Sequence, residues 1–195
     1  MSIRFSVVTN GLLGLILLPF VANAAILEEV VVTAQKREQS AQDVGISISA
    51  FTGDQLKSLG YTNAQQVTAL AAGVSTVQPN GEANYSLAIR GSASSDFTSN
   101  NESPVAIYVD EVYISQMSGT GFMLFDMERV EILRGPQGTL YGRNATGGLA
   151  HFITQKPSQE FNGYGQVTVG EYDQVKFEGA VGGGLTDTLS GRASI

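Results

Sequence analysis

From Val44 to Phe51 the chain alternates, with Val44, Ile46, Ile48 and Ala50 on one side and Gly45, Ser47 and Ser49 on the other. A period of two predicts a half-buried β-strand. Thr52, with Gln55 three residues on, forms a capping-box pattern and predicts a short helix ending at Gly60. Thr62 and Gln65 repeat the device. Val67, Leu70 and Ala71 mark the buried face of this second helix, and Gly73 stops it. Beyond Gly73 the runs VSTVQ, SLAIRG, VAIYVDEVYI, RVEILRG and LAHFIT are rich in β-branched and aliphatic residues and are separated by Gly, Pro, Asn or Asp, so strands are expected. Asp110-Glu111 is placed to turn a hairpin of Val105–Val109 on Val112–Ile114. The polar stretch from Ser92 to Ser103 has the length of a functional or disordered loop. The sum is a small α+β domain from about Val44 to about Pro157.

Two segments lie outside that pattern. From Phe161 to Ile195, Gln166 and Thr168 alternate with Val167 and Val169. Lys176 and Glu178 alternate with Val175, Phe177 and, beyond Gly179, Val181. An antiparallel meander with one apolar and one polar face follows, turning at GEYD and GGLTDT. Transmembrane barrel strands read this way, and so does a hairpin packed on the preceding domain. Before Val44, ILEEVVVTAQKREQSAQD is polar apart from Val30–Val32 and has no sustained period. It reads as a mobile arm holding a small strand-forming island. Ahead of the arm, Arg4, the apolar run VVTNGLLGLILLPF and the A-x-A exit at Ala22 and Ala24 mark a secretory signal over residues 1–24, too short for a bilayer span. An exported chain is expected.

Composition narrows the chemistry. The net charge of −7 argues against a nucleic-acid partner. With no cysteine there is neither a disulfide framework nor a thiolate metal site. His151 is the sole histidine, and a lone histidine in a strand is more often packed or hydrogen-bonded than a ligand. No cofactor and no metal are expected, and no nucleophile–base pair points to an enzyme. In DMERVEILRG the charges of Asp126, Glu128, Arg129, Glu131 and Arg134 crowd together. Arg129 and Glu131 stand two apart on a strand, hence on one face, and form an expected ion pair; a solvated surface charge also fits Arg129.

The stretch VEILRGPQGTLYGRNATGGLAHFITQKP sets a glycine-rich loop between two apolar strands. A Walker A loop needs G-x-x-x-x-G-K-[ST], and Arg143-Asn144 follows Gly142 instead. A dinucleotide fingerprint must open a helix, whereas LAHFIT reads as strand. Phosphate binding is therefore excluded, and what remains is a turn-rich connection returning to the same sheet.

Those residues resemble the signature of the plug domain of TonB-dependent outer-membrane receptors: an apolar strand, RGP, a small turn, LYG, GG, an apolar strand and KP. The signature positions are Gly135, Pro136, Gly138, Tyr141, Gly142, Gly147 and Gly148. LAIRG and VAIYVDEVYI resemble the family's IRG strand and its VYVDGV hairpin, and EEVVVTAQKRE resembles its TonB box. The resemblance runs from Glu28 to Pro157. It departs at His151, where Asn is common, and at Gly45, where many members have Pro.

The resemblance implies an α+β plug, a small mixed sheet with short helices over residues 44–157, followed at 158–195 by the first antiparallel strands of an incomplete transmembrane β-barrel. In the family such a plug fills an outer-membrane barrel of about 22 strands. It implies TonB as partner, pairing by β-addition with a box at Glu29, Val30, Val31, Val32, Thr33 and Ala34 in the arm (25–43). It implies a plug–barrel lock carried by Arg90, Arg134 and Glu131, and loop apices in which Phe97, Asn100 and Met117 are ligand candidates. Further partners are outer-membrane lipid around the barrel and a small-molecule ligand such as a metal chelate, most plainly a ferric siderophore. The roughly 35 residues after the plug cannot close a barrel, so a fragment or a truncated product is expected. Its alternative is a free-standing plug acting as a periplasmic binding module.

Overall fold

The computed structural model describes residues 30–195 except 34, 80, 82, 83, 97 and 99. The expected signal segment, Glu29, Ala34 and Phe97 lie outside the described residues. The strands are β1 (Val31–Val32), β2 (Gln39–Ser40), β3 (Ser47–Thr52), β4 (Val74–Val77), β5 (Ser86–Ile89), β6 (Val105–Val109), β7 (Val112–Tyr113), β8 (Met127–Arg134), β9 (Gly148–Thr154), β10 (Asn162–Val169), β11 (Val175–Thr186) and β12 (Leu189–Ser194). Two short helices, α1 (Gly53–Ser58) and α2 (Gly138–Tyr141), and two 3-10 turns complete the set.

The central sheet has five strands in the order β3-β8-β9-β6-β7. Only β6 and β9 run parallel, so the sheet is mixed. The period-two pattern sorts its side chains. Val130, Ile132, Ala150, Phe152, Val105 and Ile107 share one face with Leu56, Val67, Leu87 and Ile89 from α1, the first 3-10 turn and β5. Leu133, Leu149 and Ala106 share the other with Val32, Tyr141 and Ala145. Burying each large aliphatic or aromatic side chain stabilises by about 1.5–3 kcal/mol, so both faces hold the fold.

Local signals act where expected, with two departures. Thr52 caps α1, and Gln55 closes the reciprocal bond. The second helix is a 3-10 turn of five residues, Gln66–Leu70. Its reciprocal bonds join Asn63 to Gln66, one residue later than the Thr62–Gln65 pair. Ala71 is already extended, leading into β4 and leaving no room for α-helical propagation.

The second departure is the arm. Expected to be mobile, it is docked: β1 pairs antiparallel with β2, and Val32 is fully buried. The arm face of the sheet offers an apolar site for Val32, and burial there offsets the ordering entropy.

The tail is a separate three-stranded sheet, β10-β11-β12. Val167, Val169, Val175, Phe177 and Val181 point away from the domain and are exposed. Lys176, Glu178 and Arg192 have the other parity; Lys176 and Arg192 reach Phe125 and Asp126 of the domain, and Glu178 pairs with Lys176 and Tyr164. A hairpin packed on a water-soluble domain would bury the apolar face; this one turns it outward, as the wall of an outer-membrane barrel does. No closed barrel forms over these residues.

Candidate functional site

The arm meets the sheet at one buried carboxylate. Glu131 lies on β8 with no exposed side-chain surface. Its Oε1 accepts the Thr33 backbone N–H at 2.8 Å and the Arg129 Nε–H at 2.7 Å, with the Thr33 hydroxyl at 3.4 Å. Arg129 also donates to the Thr33 hydroxyl at 3.0 Å and to Glu128. The expected Arg129–Glu131 ion pair is present and is buried rather than solvated. The arm has one other charged tie, Lys36 to Glu111 at 2.7 Å, with both side chains well exposed. Such a pair contributes at most about 1 kcal/mol. A buried charge-assisted bond contributes roughly 1.5–3 kcal/mol, so Glu131 dominates the polar hold on the arm.

Glu131 opens a polar row across the sheet. In register, Ala50, Glu131, His151, Tyr108 and Tyr113 follow one another from β3 to β7. Tyr108 donates its hydroxyl to the Tyr141 carbonyl at 2.6 Å. Burial pushes the Tyr141 phenol up to about 12. His151 is buried, and burial holds its imidazole below the ordinary histidine value against the opposing pull of the Glu131 and Glu111 carboxylates. Among the described residues, Glu131 Oε2 and both His151 ring nitrogens have no hydrogen-bond partner.

Five residues before Glu131, the mixed-sheet domain meets the tail. Arg192 of β12 binds Asp126 with two nitrogens, one of them 2.6 Å from Oδ1, and both side chains are nearly buried. Lys57 lies 3.8 Å from the centre of the Tyr164 ring, and Lys176 lies 5.8 Å from that of Phe125. The residues expected to carry the lock have these contacts among the described residues. Glu131 serves the arm. Arg134 donates to the Ala72 carbonyl at 3.1 Å and to the Ser47 and Ser49 hydroxyls, all within the plug. Arg90 is exposed, at φ 53. Sequence reading missed Asp126–Arg192, although one signal was available: Arg192 has the inward parity of a strand otherwise made of small residues and Leu189.

The signature loop is folded on itself. Gly135 donates its N–H to Gly147 O and Gln137 to Ala145 O, bracketing α2, which the sequence did not announce. Gly148 has φ +140, and a Cβ there would lie 2.4 Å from the Leu133 carbonyl oxygen. Gly142 ends α2 at φ 86. Gly147 donates to Pro104 O, tying the loop to the start of β6, and Tyr141 fills the arm face. Pro136 and Gly138 are exposed at its rim. These positions shape the sheet and offer no ligand groups.

Of the ligand candidates, Met117 lines a cavity of about 180 Å³ between β5, β6 and the second 3-10 turn. Asp96, Thr98 and Asn101 close it from the long loop. Thr98 donates to Asp96, holding that carboxyl below its usual value. Asn100 is exposed and does not line the cavity. Tyr85 borders it, fully buried, its phenol raised by burial. No group of three or more metal-ligating side chains occurs among the described residues.

Comparison with known proteins agrees with this architecture. The family model of the TonB-dependent receptor plug domain matches residues 40–149. The pesticin receptor of Yersinia pestis is 34% identical over 185 residues, covering 91% of this chain and 27% of that protein. The vitamin B12 transporter BtuB of Vibrio vulnificus is 31% identical over 133 residues, 65% of this chain and 20% of the transporter. The crystal structure of the ferric yersiniabactin uptake receptor FyuA from Yersinia pestis superposes with a TM-score of 0.69 at 28% identity, covering 80% of this chain and 24% of FyuA. The chain thus spans about a quarter of the length of these relatives. With the mixed sheet, the signature loop and the outward-facing apolar strands in place, the chain belongs to the family of TonB-dependent receptor plug domains.

Proposed function

We propose that this chain is the front part of an outer-membrane receptor of a Gram-negative bacterium that takes up a scarce nutrient, a ferric siderophore or another iron complex. In this reading residues 1–24 export the chain, 25–43 carry the box for TonB, 44–157 plug the lumen, and 158–195 begin the barrel wall. The observation that carries it is the orientation of β10–β12, whose polar face meets the plug while the apolar face turns outward. That arrangement loses apolar burial in water and is favourable only where lipid covers the outer face. The iron assignment is supported by the resemblance to a receptor named for ferric yersiniabactin uptake. The relatives are named as receptors and transporters, and the plug is read as a gate rather than an enzyme.

TonB binding by β-addition needs a free strand edge at Val30–Val32. β1 is paired to β2 along one edge, and on the other the Thr33 N–H is held by Glu131, so an added strand that extends to Thr33 displaces that bond. The test is Val31→Pro in the full-length receptor, which removes a backbone donor from the added strand. Energised uptake of the iron complex is expected to disappear while binding at the cell surface persists. Retained uptake would overturn the assignment of the box.

A further inference from the structure

The row beneath the arm sets two buried titratable side chains against each other. Glu131 and His151 face each other across the β8–β9 ladder. Both are buried, yet one carboxylate oxygen and both imidazole nitrogens lack a partner among the described residues. Buried polar atoms left unpaired are costly, and a native structure that retains them holds a reservoir that hydration relieves. Their cover is the arm. Thr33 occupies Glu131 Oε1 from above, and Thr33, Lys36, Arg37 and Glu38 roof a cavity that His151 lines.

We propose that Glu131 grips the arm in the closed plug, and that His151 takes up a proton from bulk water and pairs with Glu131 when the arm leaves. In the docked state Glu131 is shared between Thr33 and Arg129, and His151 is buried at the floor of the cavity that the arm roofs. Undocking removes the Thr33 N–H, admits water along the cavity, and leaves a carboxylate opposite an imidazole that can then be charged. The pair makes docking and undocking two discrete arrangements, the condition for a latch.

The other groups around His151 set the sign. On β8, Arg129 opposes its protonation while Glu131 favours it. Across the sheet are the uncharged Tyr108 and Tyr141 rings, 6.2 and 6.4 Å from the imidazole centre to centre. At the β6–β7 turn stand Asp110 and Glu111; Glu111 favours protonation and is itself paired with Lys36, and the Asp110 backbone, a weak partner of the imidazole, favours it too. Lys156 beyond β9 and Lys36, Arg37 and Glu38 on the arm border the same cavity. Undocking carries Lys36 and Arg37 away and restores water, and both changes raise the affinity of His151 for a proton. The undocked state therefore binds more protons, and docking weakens as pH falls through the ordinary histidine range near 6.5, by up to about tenfold per unit.

The inference rests on the arm being the detachable segment of the proposed receptor, and its test uses neither TonB nor substrate. The chain contains no cysteine. Val32→Cys is installed in the full-length receptor, otherwise cysteine-free, in outer-membrane vesicles. Thiol labelling is followed against an exposed Tyr172→Cys control. The rate relative to the control, which cancels the loss of thiolate on acidification, is expected to be low at pH 7.5 and at least roughly fivefold higher at pH 5.5. Glu131→Ala and Thr33→Pro should each accelerate labelling about tenfold or more at pH 7.5, and the double variant no further than the faster single one. His151→Leu should abolish the pH dependence with the arm still docked. Unchanged labelling in Thr33→Pro would overturn the grip even if Glu131→Ala failed to assemble. An undiminished pH response in His151→Leu would overturn the role of the histidine. Loss of uptake in Val31→Pro reports on the receptor reading and leaves these outcomes unaffected.

Discussion

On one face of the five-stranded sheet, Val130, Ile132, Ala150 and Phe152 lie under α1, the first 3-10 turn and the β4–β5 pair. On the other, the same strands set Glu131, His151 and Tyr108 in a row under the N-terminal arm. The first cover is apolar throughout and continuous with the chain on both sides. The second is short, and besides the buried Val32 it is held by a few polar bonds. Apolar burial is non-directional and is lost only with the fold, whereas a hydrogen bond to a single carboxylate can be exchanged for one to water at small net cost. One face is thereby built to stay and the other to open, and β8 belongs to both.

Four substitutions break or sharpen that contrast. Phe152→Ala removes a ring that meets Phe122 edge-on at 4.9 Å. It should destabilise the plug by about 3–5 kcal/mol, seen as lost hydrogen-exchange protection throughout β8 and β9 in the full-length receptor. Asp126→Asn keeps a residue suited to φ 49 and removes the charge that Arg192 grips. It should weaken plug–wall contact by about 1.5–3 kcal/mol, read as entry of bulky antibiotics into cells making the receptor. Wild-type exclusion in that variant would show that Asp126 does not tether the plug. Gly148→Ala forces a Cβ against Leu133 O in a left-handed conformation and should cost roughly 1–3 kcal/mol in the same exchange measurement. Lys36→Ala, removing the exposed tie to Glu111, should change arm docking by at most about 1 kcal/mol, or under about sixfold in Val32→Cys labelling. An effect as large as that of Thr33→Pro would mean that the exposed pair, rather than Glu131, holds the arm.

Much of this is legible in the chain. The alternation of Val44–Phe51 gave a strand whose apolar side faces the arm, because strand parity is set by covalent geometry. The Thr52–Gln55 cap acted as written because its partners are three residues apart. The Thr62–Gln65 pattern did not, because Asn63–Gln66 offers the same spacing one step on and the turn into β4 selects between them. The outward apolar parity of β10 and β11 was visible, but whether that side met the domain or turned from it was not.

By itself, the sequence determined most of the strands and the α1 cap, the faces they present, the family signature from Val130 to Pro157, and the Arg129–Glu131 pairing two residues apart. Those follow from local rules of period, capping and backbone sterics, which act over a few residues. Only the tertiary structure decided that Thr33 reaches Glu131 across 98 positions, that Arg192 reaches Asp126 across 66, and that His151 faces Glu131 beneath the arm. Contacts at such separations depend on how strands are ordered in the sheet and on what each buried charge must find when water is excluded, and neither is written in local sequence.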